Sequence, residues 1–203
     1  MRIENKIKSN ITNFGSRPLY RATLLSKKLF NKPEPVEAFV SMAEKKDFGR
    51  EALGYRRWFF TTYGDDILYL MEEQSKHPKK VNADFLLVDI PSFAAKKQVA
   101  AMASYNVGYD NLILKALQSK SEIALFNRIK GAGSLIVYAL SKIAQKNDKK
   151  AIVLSAATGA KKFYKKLGFK NIEAKEFMLP KEKYEMLQRK LEEKFHITEV
   201  TNN

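Results

Sequence analysis

The stretch that most constrains the fold is Arg128-Ile-Lys-Gly-Ala-Gly133, because of its flanks. A short apolar run, Ile123-Ala-Leu-Phe126, precedes it. After it, Leu135, Ile136, Ala139, Leu140 and Ile143 recur at helical spacing. The pattern predicts a strand that runs into a glycine turn, and a turn that opens a helix. N–H groups at a helix start have no partner inside the helix, and the helix dipole favours an anion beside them. Gly131 and Gly133 lack a Cβ, so a ligand can come close to the main chain. Arg128 and Lys130 add positive side chains, although turn residues of this kind are also ordinary surface charges. The stretch is a candidate pocket for a phosphate or pyrophosphate.

A second apolar run, Ala151-Ile-Val-Leu154, predicts a buried strand, and Thr158 to Phe169 an amphipathic helix stopped by Gly168. With these elements in this order the sequence resembles the GNAT acetyltransferase superfamily. That family's coenzyme A loop, Arg/Gln-x-x-Gly-x-Gly/Ala, is matched by Arg128, Gly131 and Gly133. Its next helix, Ala-x-x-Phe-Tyr-x-x-x-Gly-Phe, is matched by Ala160, Phe163, Tyr164, Gly168 and Phe169. The resemblance covers residues 122–170.

The resemblance implies an α/β (α+β) fold with a mixed, mostly antiparallel central sheet, splayed at the cofactor strand and flanked by helices. The splay is expected between residues 122–126 and 151–155. It implies acetyl-CoA as acyl donor and direct transfer to an amine: a protein lysine or N-terminus, a small amine, or the amino group of an aminoacyl-tRNA. Carried over by motif, Phe126, Arg128, Lys130, Gly131, Ala132, Gly133 and Ser134 would hold the cofactor from its loop, with Thr158 and Lys161 contributing from the later helix. Tyr164 would be the general acid to the leaving thiolate, and Glu122, opening the cofactor strand, a candidate base. Asp89 is a second carboxylate candidate. Ala157 stands where the family often has asparagine, and Thr158 beside it is expected to cap the helix through its hydroxyl.

Two other readings compete. A dinucleotide-binding enzyme would use a similar glycine turn, but the third glycine of its fingerprint would fall at Ile136, and Ser155 stands where its acid belongs. A non-catalytic module could keep the fold and bind an anionic partner through a basic face. The charge bears on this. The chain carries a net +15, and residues 120–170 hold twelve Lys/Arg against two acids. Such charge suits a solvated surface, coenzyme A phosphates, or nucleic acid such as tRNA.

The 203 residues suit one main domain: a polar segment over 1–19, the acyltransferase-like domain over 20–180, and a C-terminal helix and tail over 181–203. No cysteine occurs, which removes disulfides, thiolate zinc sites and cysteine nucleophiles together. His77 and His196 have no partner at ligand spacing, so no metal is expected. No signal-peptide core or membrane-length apolar run is present, so a soluble, cytoplasmic protein is expected. The element pattern predicts a strand or short helix at Tyr20–Leu25, a helix over Pro35–Lys45, and strands at Ile67–Met71 and Phe85–Ile90. It predicts helices over Ser92–Ala103 and Asn111–Leu117, a strand at Glu176–Leu179, and a helix over Lys181–Phe195 with Tyr184, Leu187, Leu191 and Phe195 as its seam. Trp58, among Arg56-Arg57-Trp58-Phe59-Phe60, is expected to pack in the core.

Overall fold

The computed structural model describes residues 17–28, 32–44, 63–90, 98–119, 122–124 and 127–201. Strand β1 (Arg17–Lys28) pairs antiparallel with β2 (Glu34–Met42). Helix α1 (Gly64–Lys76) leads to β3 (Asp84–Ile90), β4 (Gln98–Val107) and β5 (Asn111–Ser119), which continue the antiparallel meander from β2. A small hairpin follows, β6 (Glu122–Ala124) and β7 (Asn127–Lys130). Then come α2 (Ala132–Lys146), β8 (Ala151–Ser155), a 3-10 turn at Thr158–Ala160, α3 (Lys161–Lys166), β9 (Lys170–Asn171) and β10 (Glu176–Pro180). Helix α4 (Tyr184–Phe195) and β11 (Thr198–Glu199) complete the described chain. The sheet order is β6-β7-β1-β2-β3-β4-β5-β8-β10-β9, with β11 beside β1. Only β5 and β8 pair parallel among the described strands.

The strands' period of two gives the sheet two apolar faces. On β3, Phe85 and Leu87 join Met102 against Ile67, Leu68 and Met71 of α1. Leu86 and Val88 belong to the opposite core with Tyr105, the apolar side of α2, and Leu187, Leu191 and Phe195 of α4. Both faces of the sheet are therefore covered at its centre. Among the described residues no helix is long and apolar enough to cross a membrane.

The structure corrects several expected elements. Residues 34–42 form a strand, because Ala38 and Val40 alternate inward on one face while Ser41 is buried on the other. Ile67–Met71 lies within α1, whose first turn carries Asp65 and Asp66, acids that suit a helix start. Residues 98–107 and 111–119 are strands. In β4 Ala100 to Tyr105 are all buried, as in a strand covered on both faces, and this removes the alternation. The 92–97 part of that expected helix, Phe126, and Trp58 with its neighbours lie outside the described residues. The strands at 151–155 and 176–180 and the helix closing near Phe195 follow the sequence pattern. The sequence boundary at residue 20 falls within β1, and α4 and β11 pack on α2 and β1.

Candidate active site

The site begins where two parallel strands part. β5 and β8 pair through Asn111–Leu114 and Ala151–Leu154. Beyond them β8 ends at Ser155, while β5 runs on to Ser119, held on its other side by β4. No described strand pairs with the β8-facing edge of Lys115–Ser119. The splay thus opens at β5, not at residues 122–126. Two residues separate β5 from β6, and the register of β7 with β1 carries the 122–130 hairpin to the other end of the sheet order.

A small cleft lies in this gap, lined by Tyr63, Leu114, Lys115, Ala116, Leu117, Leu154, Ser155, Ala157, Ala160 and Tyr164. Tyr164 reaches it from α3. Its ring packs edge-on against Phe163 and Phe169, with centroids 5.0 and 5.4 Å away. Burial first, and then the nearby Tyr63, push its phenol up to about 12. The hydroxyl therefore stays protonated at neutral pH and is a hydrogen-bond donor. Tyr63 also lines the cleft, and its backbone N–H donates to Gln118 Oε1 on β5 at 3.3 Å.

The start of α2 packs beside Leu117, one of the residues lining this cleft, without itself being among the described lining residues. Gly131 takes a left-handed conformation, φ +105°, and no side chain caps the helix. Leu135 N–H donates to the Gly131 carbonyl at 3.1 Å, which leaves Ala132, Gly133 and Ser134 as the first-turn N–H groups. A Cβ on Gly133 would stand 3.5 Å from Leu117 of the cleft wall and from Phe163, and 3.6 Å from Ser119. A Cβ on Gly131 would point away from these, into Phe195 and Leu24. The two glycines of one motif thus face different neighbours.

The remaining sequence candidates spread out. Arg128 lies in β7, its backbone opposite Lys27, and Lys130 is exposed at the end of that strand. Glu122 lies in β6, opposite Arg128, rather than on a strand bordering the cleft. Asp89 is buried in β3, with β4 and β5 between it and β8. Lys161 Nζ donates to the Ala174 carbonyl at 3.0 Å. Thr158 begins the exposed 3-10 turn, and no side chain caps that turn or α3, so its expected hydroxyl cap is not made. Sequence reasoning missed Tyr63 and the Lys115–Ser119 edge. The alternation Leu112-Ile113-Leu114-Lys115, buried and exposed by turns, is the signal that reveals β5.

No protein-family model matches the chain, and no curated protein matches its sequence. Solved structures match its fold. A GNAT-family protein from Desulfovibrio desulfuricans aligns with a TM-score of 0.51 at 12% identity, over 70% of this chain and 98% of that one. The AtaTR structure bound with AcCoA aligns with a TM-score of 0.50 at 14% identity, over 74% and 97%. Strands that part at one parallel pair, a glycine turn opening a helix beside them, and these alignments lead to one conclusion: the chain has the fold of the GNAT acetyltransferases.

Proposed function

We propose that this protein is an acetyl-CoA-dependent N-acetyltransferase. The observation that carries the reading is the β5–β8 splay, whose cleft is lined by a protonated tyrosine and by Leu117, which packs beside the start of a long helix that no side chain caps. A thioester on a flexible amide-bearing arm suits such a gap: the exposed edge of Lys115–Ser119 offers backbone groups to the arm's amides. The N–H groups of Ala132, Gly133 and Ser134 would face its pyrophosphate. The structural neighbour crystallised with AcCoA shares this fold.

In the reaction the acceptor nitrogen attacks the acetyl carbon, a C–N bond forms, the C–S bond breaks, and a proton lost by nitrogen ends on sulfur. Tyr164 would donate a hydrogen bond to the sulfur as charge develops there. A thiol ordinarily titrates at about 8.5, so full transfer from a phenol near 12 runs uphill. Tyr164 thus stabilises the thiolate, and solvent completes the proton's path. Glu122 has no assigned part in this scheme.

The cleft also bears on the acceptor. Its rim carries the Lys115 ammonium, and no carboxylate is among the described lining residues. A cationic amine would be repelled there, whereas an amine already neutral can enter. At pH 7.5 about a third of α-amino groups are neutral, against about one lysine side chain in a thousand. These lining residues favour an α-amine or another amine of low pKa as the acceptor.

Calorimetric titration of acetyl-CoA into the wild type and Ser134→Glu tests the donor site. Glutamate near a helix start suits the helix, so the fold is kept while a negative charge meets the phosphates. Binding to the wild type, lost in the variant, is expected; no binding to the wild type would sink the proposal. Thiol release with a peptide bearing a free N-terminus should exceed that with an N-blocked lysine peptide.

A further inference from the structure

The side of the Gly131 turn away from the cleft is filled by the C-terminal segment. Phe195 Cε1 and Cζ stand 2.7 Å from where a Gly131 Cβ would be, and Leu24 Cδ2 stands at 3.0 Å. Phe195 is the last residue of α4 and is buried. Helix α4 is in turn fastened along α2. Tyr138 Oη donates to Glu192 Oε1 at 2.7 Å, and Lys142 Nζ lies 3.1 Å from the same oxygen. Gln188 Nε2 donates to Ser141 Oγ at 3.3 Å and Gln145 Oε1 at 3.0 Å.

Beyond Phe195 the chain reverses at His196, φ +48°, and enters β11, which pairs with Tyr20 and Arg21 of β1. Val200 N–H donates to the Leu19 carbonyl at 3.0 Å. β1 is the strand that carries Leu24 and pairs Leu25 with Lys130, the residue before the turn. The turn, β1 and α4 thus close a circuit around Gly131.

We propose that α4 is a strut for the anion-binding start of α2, with Phe195 as its positioning residue. The proposal rests on the acetyltransferase reading and deepens it: the C-terminal segment belongs to the donor site without touching the donor. N–H groups already fixed in place need no ordering when an anion arrives, so a rigid turn binds more tightly than a mobile one.

The test compares Phe195→Ala with Leu187→Ala. Leu187 is buried in the same helix, two turns away, and its loss weakens packing without opening the turn. Two quantities are read in the full chain: amide exchange of Leu135, whose N–H bonds the Gly131 carbonyl, and acetyl-CoA affinity. Phe195→Ala should speed that exchange and weaken acetyl-CoA, each by about tenfold or more. Leu187→Ala should do neither at a matched interval below its own unfolding midpoint. Equal effects in both variants, or faster exchange with unchanged affinity, would overturn the strut. If Phe195→Ala does not fold, Phe195→Leu replaces it and should show a smaller change of the same kind. A wild type that binds no acetyl-CoA breaks the reading beneath the proposal, whatever the exchange shows.

Discussion

The start of α2 has two sides, and they are built for opposite purposes. On the cleft side Gly133 faces Leu117, Phe163 and Ser119 at ordinary contact distance. On the other side Gly131 faces Phe195 and Leu24 with no room for another atom. A glycine-rich turn is commonly explained by ligand access alone. Here one glycine is required by backbone conformation and by packing, and the other packs beside a wall of the cleft. The motif therefore touches both the cleft wall and the C-terminal helix, and substitutions at its two glycines should behave differently.

Gly131→Ala should have the larger effect. A left-handed φ of +105° strains any residue with a Cβ, and the new methyl would collide with a buried ring. The expected loss is about 2–4 kcal/mol, from strain and overpacking together, read by chemical denaturation. A change under about 0.5 kcal/mol would mean that Phe195 yields freely, and the contrast between the two sides would collapse.

Next in size is Tyr164→Phe, which probes the cleft side through chemistry rather than stability. Removing a donor aimed at developing charge costs about 10²-fold in turnover, roughly 2.7 kcal/mol. Because the phenol is held near 12, Tyr164 should impose no ionisation on the rate between pH 6 and 9. Wild-type turnover that falls with a midpoint in that range, and does so only while Tyr164 is present, would refute the donor role.

The same contrast explains what the sequence discloses and what it conceals. The α2 turn, β8 and α3 are legible because glycines and a helical apolar pattern sit at fixed spacing. β4 is not, because a central strand with alanines on both faces shows neither alternation nor a helical stripe that differs from it. Ile67–Met71 is ambiguous as a short apolar run, and only α1's packing of Ile67, Leu68 and Met71 on one face decides it. The position of the cleft is concealed for a related reason. The β6–β7 hairpin lies between β5 and the glycine turn, and no local pattern announces which strand β8 will join. Phe195 reads simply as an apolar seam residue; its contact with Gly131 is long-range and has no sequence signal.

Gly133→Ala is the smaller counterpart of Gly131→Ala. Its Cβ would find ordinary contacts, and alanine is the better helix former. Stability should rise by up to about 1 kcal/mol. A loss as large as that of Gly131→Ala would show that both sides of the turn are equally crowded.

The smallest expected effect is Glu192→Gln, on the α4 side. Burial opposes the charge of Glu192, yet hydrogen bonds from Tyr138 and Lys142 hold its carboxyl below the usual glutamate range. A depressed carboxylate stabilises the fold above its unfolded pKa and loses that contribution as pH falls through the folded value. The side chain is 36% exposed, so solvent screens the pair. The expected cost of Glu192→Gln is about 0.5–1 kcal/mol at pH 7. At pH 3, below the unfolded carboxyl's usual range, it should shrink, because that contribution is lost as pH falls toward the lowered folded value. Denaturation midpoints of the two proteins at both pH values measure this. A gap that persists undiminished at low pH would mean that the charge of Glu192 does not hold α4 to α2, leaving the strut to Phe195, its apolar neighbours and the Gln188 hydrogen bonds.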